Sequence, residues 1–82
     1  KQGLFEGGIR MPALMSWPGQ IAPGRVVDGM GMAMDIMPTF LNMAGLPVPA
    51  GVDGKDQSPL IRQGGSSAHE HIHWVYVGSR AV

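Results

Sequence analysis

Three observations predict an α/β fold class for this chain. Residues 35–44 carry an amphipathic pattern with helix-like boundaries, and residues 71–77 alternate as a strand does. Between them, 13 glycines and 7 prolines among 82 residues cut the chain into short pieces joined by turns. The reading is a loop-rich piece with short strands, one helix near 35–44 and the start of an antiparallel sheet at the C-terminal end.

The elements follow in order. Gly7-Gly8 permits a tight turn, and Ile9 to Trp17 reads as a short extended run whose Pro12 belongs at a strand start or edge. Pro18-Gly19 ends the run, Pro23-Gly24 marks a second turn, and Arg25-Val26-Val27 reads as a brief strand. Met30, Met32 and Met34 alternate, which predicts a strand leading to the helix. The helix begins at Asp35, read as its cap, with Pro38 in the first turn and Gly45 as the stop. Ile36, Phe40 and Ala44, widened by Met37, Leu41 and Met43, form an apolar stripe that should pack on something apolar. Asp35, Thr39 and Asn42 form the opposite face. Asp53-Gly54 is turn chemistry, and Ser58-Pro59 reads as the cap and first position of a short helical turn. Gln63 to Ala68 is a polar connector and the best internal boundary. His71 to Val77 then forms a strand, and residues 78–82 read as cut off in mid-element.

Composition narrows the function classes. Six basic and six acidic residues give zero net charge with no basic run, so nothing predicts a nucleic-acid partner. The absence of cysteine excludes disulfides and thiolate ligands within the segment. No apolar stretch reaches the roughly 18 residues of a membrane span, and no membrane partner is expected. Hydrophobic content of 44% is not that of a disordered chain. Together with the high glycine and proline content, it fits a fragment whose apolar surfaces are completed by further polypeptide. Lys1 in place of Met points to an internal or processed start, and marginal folding of the isolated chain is expected.

Lys1 stands five positions before Glu6-Gly7-Gly8-Ile9-Arg10-x-Pro12, which leads into Trp17-Pro18-Gly19. Asp35-Ile36-x-Pro38-Thr39-Phe40-Leu41 closes in Ala44-Gly45. Asp53-Gly54 precedes Pro59-Leu60, and His73-Trp74 leads to Arg80-Ala81-Val82. Four such pieces in this order resemble the sulfatase family of arylsulfatase-like sulfuric ester hydrolases, within the alkaline-phosphatase-like superfamily. The resemblance implies an α/β sandwich, with residues 1–65 ending the large domain and 66–82 opening the small C-terminal domain. It implies a parent that hydrolyses organic sulfate esters using formylglycine and calcium. The parent's compartment by family analogy is secreted, periplasmic or lysosomal. It further implies that Lys1 contacts the substrate's sulfate. The residue-level alternative is a solvated terminal lysine.

No catalytic residue is assigned within the segment. Glu6 and Arg10 are read as a buried pair or loop clamp with a structural role. Ser16-Trp17-Pro18-Gly19-Gln20 lacks the terminal arginine of the family's nucleophile motif and is rejected as one. Asp28, Asp35, Asp53 and Asp56 lie in loop, cap and turn contexts and are not read as calcium ligands. The isolated chain is therefore expected to be inactive and to need the remaining sulfatase chain. Two other functions stay open: a phosphate or phosphonate ester hydrolase of the same superfamily, and a non-enzymatic metal-binding or interaction module. The latter would use His69, His71 and His73, which share one face if the segment is a strand. Their plainer reading is as solvated or domain-interface histidines. The seven methionines are read as core filling rather than a copper or peptide surface.

Overall fold

The computed structural model describes residues 3–82. It is a small mixed assembly of short helices and one two-stranded antiparallel sheet. Helix α1 is a single turn, Glu6–Ile9, and a 3-10 turn at Ala33–Asp35 runs directly into α2, Ile36–Met43. Helix α3 spans Ser58–Gln63, and strands β1, Trp74–Tyr76, and β2, Ser79–Ala81, close the chain as a hairpin. No helix among the described residues is long and apolar enough to cross a membrane.

The helix expected at 35–44 is present, and its end follows from Gly45. Gly45 takes φ 73°, its N–H donates to the Asn42 carbonyl at 3.0 Å, and the Leu46 N–H reaches back to the Leu41 carbonyl at 2.8 Å. This is the left-handed stop that satisfies orphan carbonyls at a helix end. The start differs from expectation. Asp35 makes no side-chain cap bond to α2; its Oδ2 instead accepts from the Met32 N–H at 2.8 Å and closes the preceding 3-10 turn. Ser58 likewise is the first residue of α3 rather than its cap. Asp56 Oδ1 accepts the Ser58 backbone N–H at 2.9 Å and its hydroxyl as well.

The extended run expected from Ile9 to Trp17 is corrected at both ends. Ile9 belongs to α1, and residues 10–17 pair with no strand. An extended segment without a partner leaves its backbone groups to solvent, and Pro12 has no N–H to offer. The strands expected at 25–27 and 30–34 are also not formed. Arg25 instead caps the end of α3, its guanidinium donating to the carbonyls of Leu60, Ile61 and Arg62 at 3.3, 2.7 and 2.8 Å. A cation on the last carbonyls of a helix meets the negative end of its dipole.

The strand expected at 71–77 shortens to β1. Tyr76 pairs with Ser79, so Val77 and Gly78 form a two-residue turn with φ 46° and 80°. Two positive φ values match the twist of a tight hairpin. For the β-branched Val77, however, this is a strained conformation.

The main surprise lies in what is buried. Among the described residues, the buried hydrophobic side chains are Leu60, Ile72 and Pro38, while Asp35, Thr39, Gln57, Ser58 and His69 are buried polar ones. Helix α2 is turned opposite to expectation. Its Pro38 and Thr39 face inward, and Ile36, Met37 and Phe40 are about half exposed, at 56%, 49% and 54%. The Cα radius of gyration is 14.0 Å, against about 12 Å for a compact chain of this length. The apolar surface is therefore not gathered into a core of its own.

Candidate functional site

Lys1 lies outside the described residues. The segment that follows it is placed: Gly3, Leu4 and Phe5 line one side of a cleft of about 530 Å³, and Tyr76, Val77, Ser79 and Arg80 of the hairpin line the other. Glu6 and Arg10 are corrected from a buried pair to a surface one. Their charged atoms are 3.5 Å apart at i,i+4 spacing, with side chains 79% and 76% exposed. Such a pair contributes little stability.

The best-ordered chemistry centres on Asp35. Its carboxylate is buried and accepts four donors. The Met32 N–H and Gln57 Nε2 reach Oδ2 at 2.8 and 3.2 Å, the Lys55 N–H reaches Oδ1 at 2.9 Å, and His69 Nε2 lies 2.8 Å from both oxygens. An ionised carboxylate only accepts, so His69 donates from Nε2. Gln57 extends the network. Its backbone N–H donates to Thr39 Oγ1 at 2.9 Å, and its Oε1 accepts the Ala68 N–H at 3.1 Å. Ser67 Oγ donates to the Met30 carbonyl, and Lys55 Nζ to the Ala68 carbonyl at 3.3 Å. The connector at 63–68 is thus sewn to the region before α2. Burial alone raises the Asp35 pKa. The bonds from the Lys55 and Met32 N–H groups, from His69 and from Gln57 outweigh it and hold the carboxyl below the usual carboxylate range.

Gly54 is required by this packing, because a Cβ there would sit 1.8 Å from the Met34 carbonyl oxygen. That close approach lets Lys55 present its N–H to Asp35. The Asp53-Gly54 turn was legible in the sequence. The partnership of Asp35 with His69, 34 positions away, was not. Asp35 carried an ordinary cap signature, and His69 stood in a histidine-rich run.

The three histidines do not act together. His69 is buried against Asp35, while His71 and His73 are exposed on either side of the buried Ile72. They lie before β1 rather than within a strand. Among the described residues no group of three or more His, Asp or Glu side chains is arranged to hold a metal. The oxygens of Asp35 already face N–H donors, and Asp28 and Asp53 are exposed.

A second open groove of about 410 Å³ runs between Met15, Ser16 and Trp17 and the outer face of α2 at Phe40, Met43 and Ala44. The Arg62 guanidinium lies 4.8 Å from the centre of the Trp17 ring and ties this segment to α3.

The order of these pieces, from the Gly-Gly turn through the Asp-x-x-Pro-Thr helix to the hairpin, is that of a sulfatase segment. Residues 1–80 match the family model described as N-sulphoglucosamine sulphohydrolase, C-terminal, and the chain belongs to that sulfatase family. It is 42% identical over 73 residues to steryl-sulfatase of Mus musculus, covering 87% of this chain and 12% of that protein. It is 44% identical over 73 residues to arylsulfatase A of Homo sapiens, covering 88% and 14% respectively. With N-acetylgalactosamine-6-sulfatase of Rattus norvegicus it shares 47% identity over 66 residues, covering 78% and 13%. The chain therefore spans about an eighth of the length of these relatives. No solved structure matches it.

Proposed function

We propose that this chain is a segment of a sulfuric ester hydrolase, in which Lys1 contacts the sulfate of the substrate. In this reading residues 1–65 end the large domain of an alkaline-phosphatase-like sandwich, and residues 66–82 begin the small one. The observation that carries it is the family match over residues 1–80, supported by sulfatase relatives at 42% to 47% identity. Sulfate-ester hydrolysis gathers negative charge on the sulfuryl and leaving oxygens. A lysine ammonium aimed at that charge stabilises the transition state more than the ground state.

Formylglycine and calcium belong to this reading at the level of the parent protein, and the residues here do not fit either group. The chain has no cysteine, and Ser16 precedes a sequence without the required arginine. The aspartates are dispersed or already engaged. Accordingly the nucleophile and metal ligands come from polypeptide beyond this segment, and the segment alone does not turn over substrate. The outward apolar face of α2 supports the same conclusion, since Ile36, Met37 and Phe40 await a covering surface.

The test is hydrolysis of a chromogenic aryl sulfate by the full-length parent. Lys1→Ala should lower kcat/KM by about 10²–10³-fold, the scale of losing one charge-stabilising donor. A folded, formylglycine-bearing parent with no turnover would remove the sulfatase reading and bring phosphate and phosphonate esters forward.

A further inference from the structure

Three observations converge on the C-terminal hairpin. The first is the buried Asp35–His69 pair, whose side chains are only 4% and 6% exposed. His69 is three residues from Ile72, one of the few buried apolar side chains, and five from the start of β1. The pair therefore fixes the root of the hairpin to the front of α2. The second is the hairpin tip, where Val77 is held at φ 46°. Strain of this kind persists only where the surroundings enforce it, and it collects at ligand-facing positions. The third is the cleft itself. Its hairpin wall of Tyr76, Val77, Ser79 and Arg80 faces Gly3, Leu4 and Phe5, and Gly3 is two positions after Lys1 in the chain.

We propose that Asp35 and His69 are positioning residues for the site to which Lys1 belongs. They hold the hairpin against the segment following Lys1, and the cleft between the two receives the alcohol part of the sulfate ester. The inference rests on the sulfatase reading above. The lining defines the class of alcohol. Leu4, Phe5 and Val77 offer apolar surface for a ring, Tyr76 and Ser79 offer hydroxyls, and Arg80 offers a cation to an anionic or hydroxyl substituent. No bond to the reacting sulfur is assigned to Asp35 or His69. They act through the hairpin alone.

The experiment uses the full-length parent, with hydrogen exchange read over residues 70–82 and steady-state kinetics on 4-nitrophenyl sulfate and its carboxylated analogue. Asp35→Asn and His69→Gln preserve size and some hydrogen bonding while removing the charge pair. Each should speed exchange in the hairpin about tenfold or more. Each should also raise KM about three- to tenfold while kcat stays within about twofold, the pattern of lost binding rather than lost chemistry. Arg80→Ala, on an exposed wall where misfolding is not a concern, should raise KM more for the carboxylated ester than for the plain one. Unchanged hairpin exchange would overturn the positioning role. Faster exchange with unchanged KM, or an Arg80→Ala enzyme that treats both esters as wild type does, would overturn the cleft as the alcohol site. A wild-type parent without turnover on either ester would sink the sulfatase reading and this inference with it, whereas normal wild-type turnover confines any failure to the hairpin.

Discussion

Two regions of this molecule meet at α2 and differ in nearly every respect. On its inner side lies a buried polar seam of Asp35, Thr39, Gln57 and His69, with four donors on one carboxylate. On its outer side lie Ile36, Met37 and Phe40, apolar and half exposed. A self-sufficient domain would reverse the two, since burying apolar area is the main favourable term in folding. The seam is saturated within the chain because hydrogen bonds need particular partners, and those partners are all present. The outer face needs only area, and 82 residues do not supply it. The polar seam thus reports what this segment does for itself, and the apolar face what the rest of the protein does for it.

The largest effect should come from breaking the seam. Removing one partner of a buried, hydrogen-bonded pair leaves the other uncompensated, so Asp35→Ala or His69→Ala should destabilise the parent by about 3–5 kcal/mol in urea denaturation. The double variant should lose less than the sum of the two, because both singles remove the same contact. Additive losses would mean that the pair is not coupled as the geometry indicates.

Acid should open the seam in a defined direction. The Asp35 pKa is depressed in the folded state. Its contribution is therefore fully present above the unfolded carboxylate value of about 4 and is lost as pH falls through the lower folded value. Tryptophan fluorescence of the parent between pH 2 and 6 should show stability falling with acid. Asp35→Asn should flatten that part of the curve, and an unchanged slope would contradict the assignment.

The outer face gives a conditional prediction that sharpens the contrast. In the full-length parent, Phe40→Gln should cost roughly 2 kcal/mol, as expected for losing the burial of an apolar side chain. In the 82-residue chain the same substitution should change stability by less than about 0.5 kcal/mol, as at other exposed positions. Equal effects in both settings would mean that nothing covers the face.

Smaller effects follow at the hairpin tip and the surface pair. Val77→Asn relieves a β-branched residue from left-handed backbone and should stabilise the hairpin by about 1 kcal/mol, measured as a rise in Tm of the parent. Glu6→Gln removes a pair exposed on both sides and should shift stability by less than about 0.5 kcal/mol. A larger loss in the parent would show that other chain buries this pair.

Local chemistry was legible from the sequence wherever neighbouring residues decide the outcome. The helix at 36–43, its stop at Gly45, the Pro18-Gly19 turn at φ 83° and the Asp53-Gly54 turn each depend on a few adjacent residues and are present. Family membership was legible for a related reason, because order and spacing of short motifs survive in one dimension. The extended runs at 9–17 and 25–27 failed because a strand is defined by a partner that periodicity does not name. Only the tertiary structure decided which face of α2 turns inward, that Asp35 serves a histidine 34 residues away rather than its own helix, and that Arg25 ends α3. Each depends on which distant donor meets which acceptor. A burial pattern along a helix states that one face is apolar, but the position of the remaining chain determines whether that face is the inside.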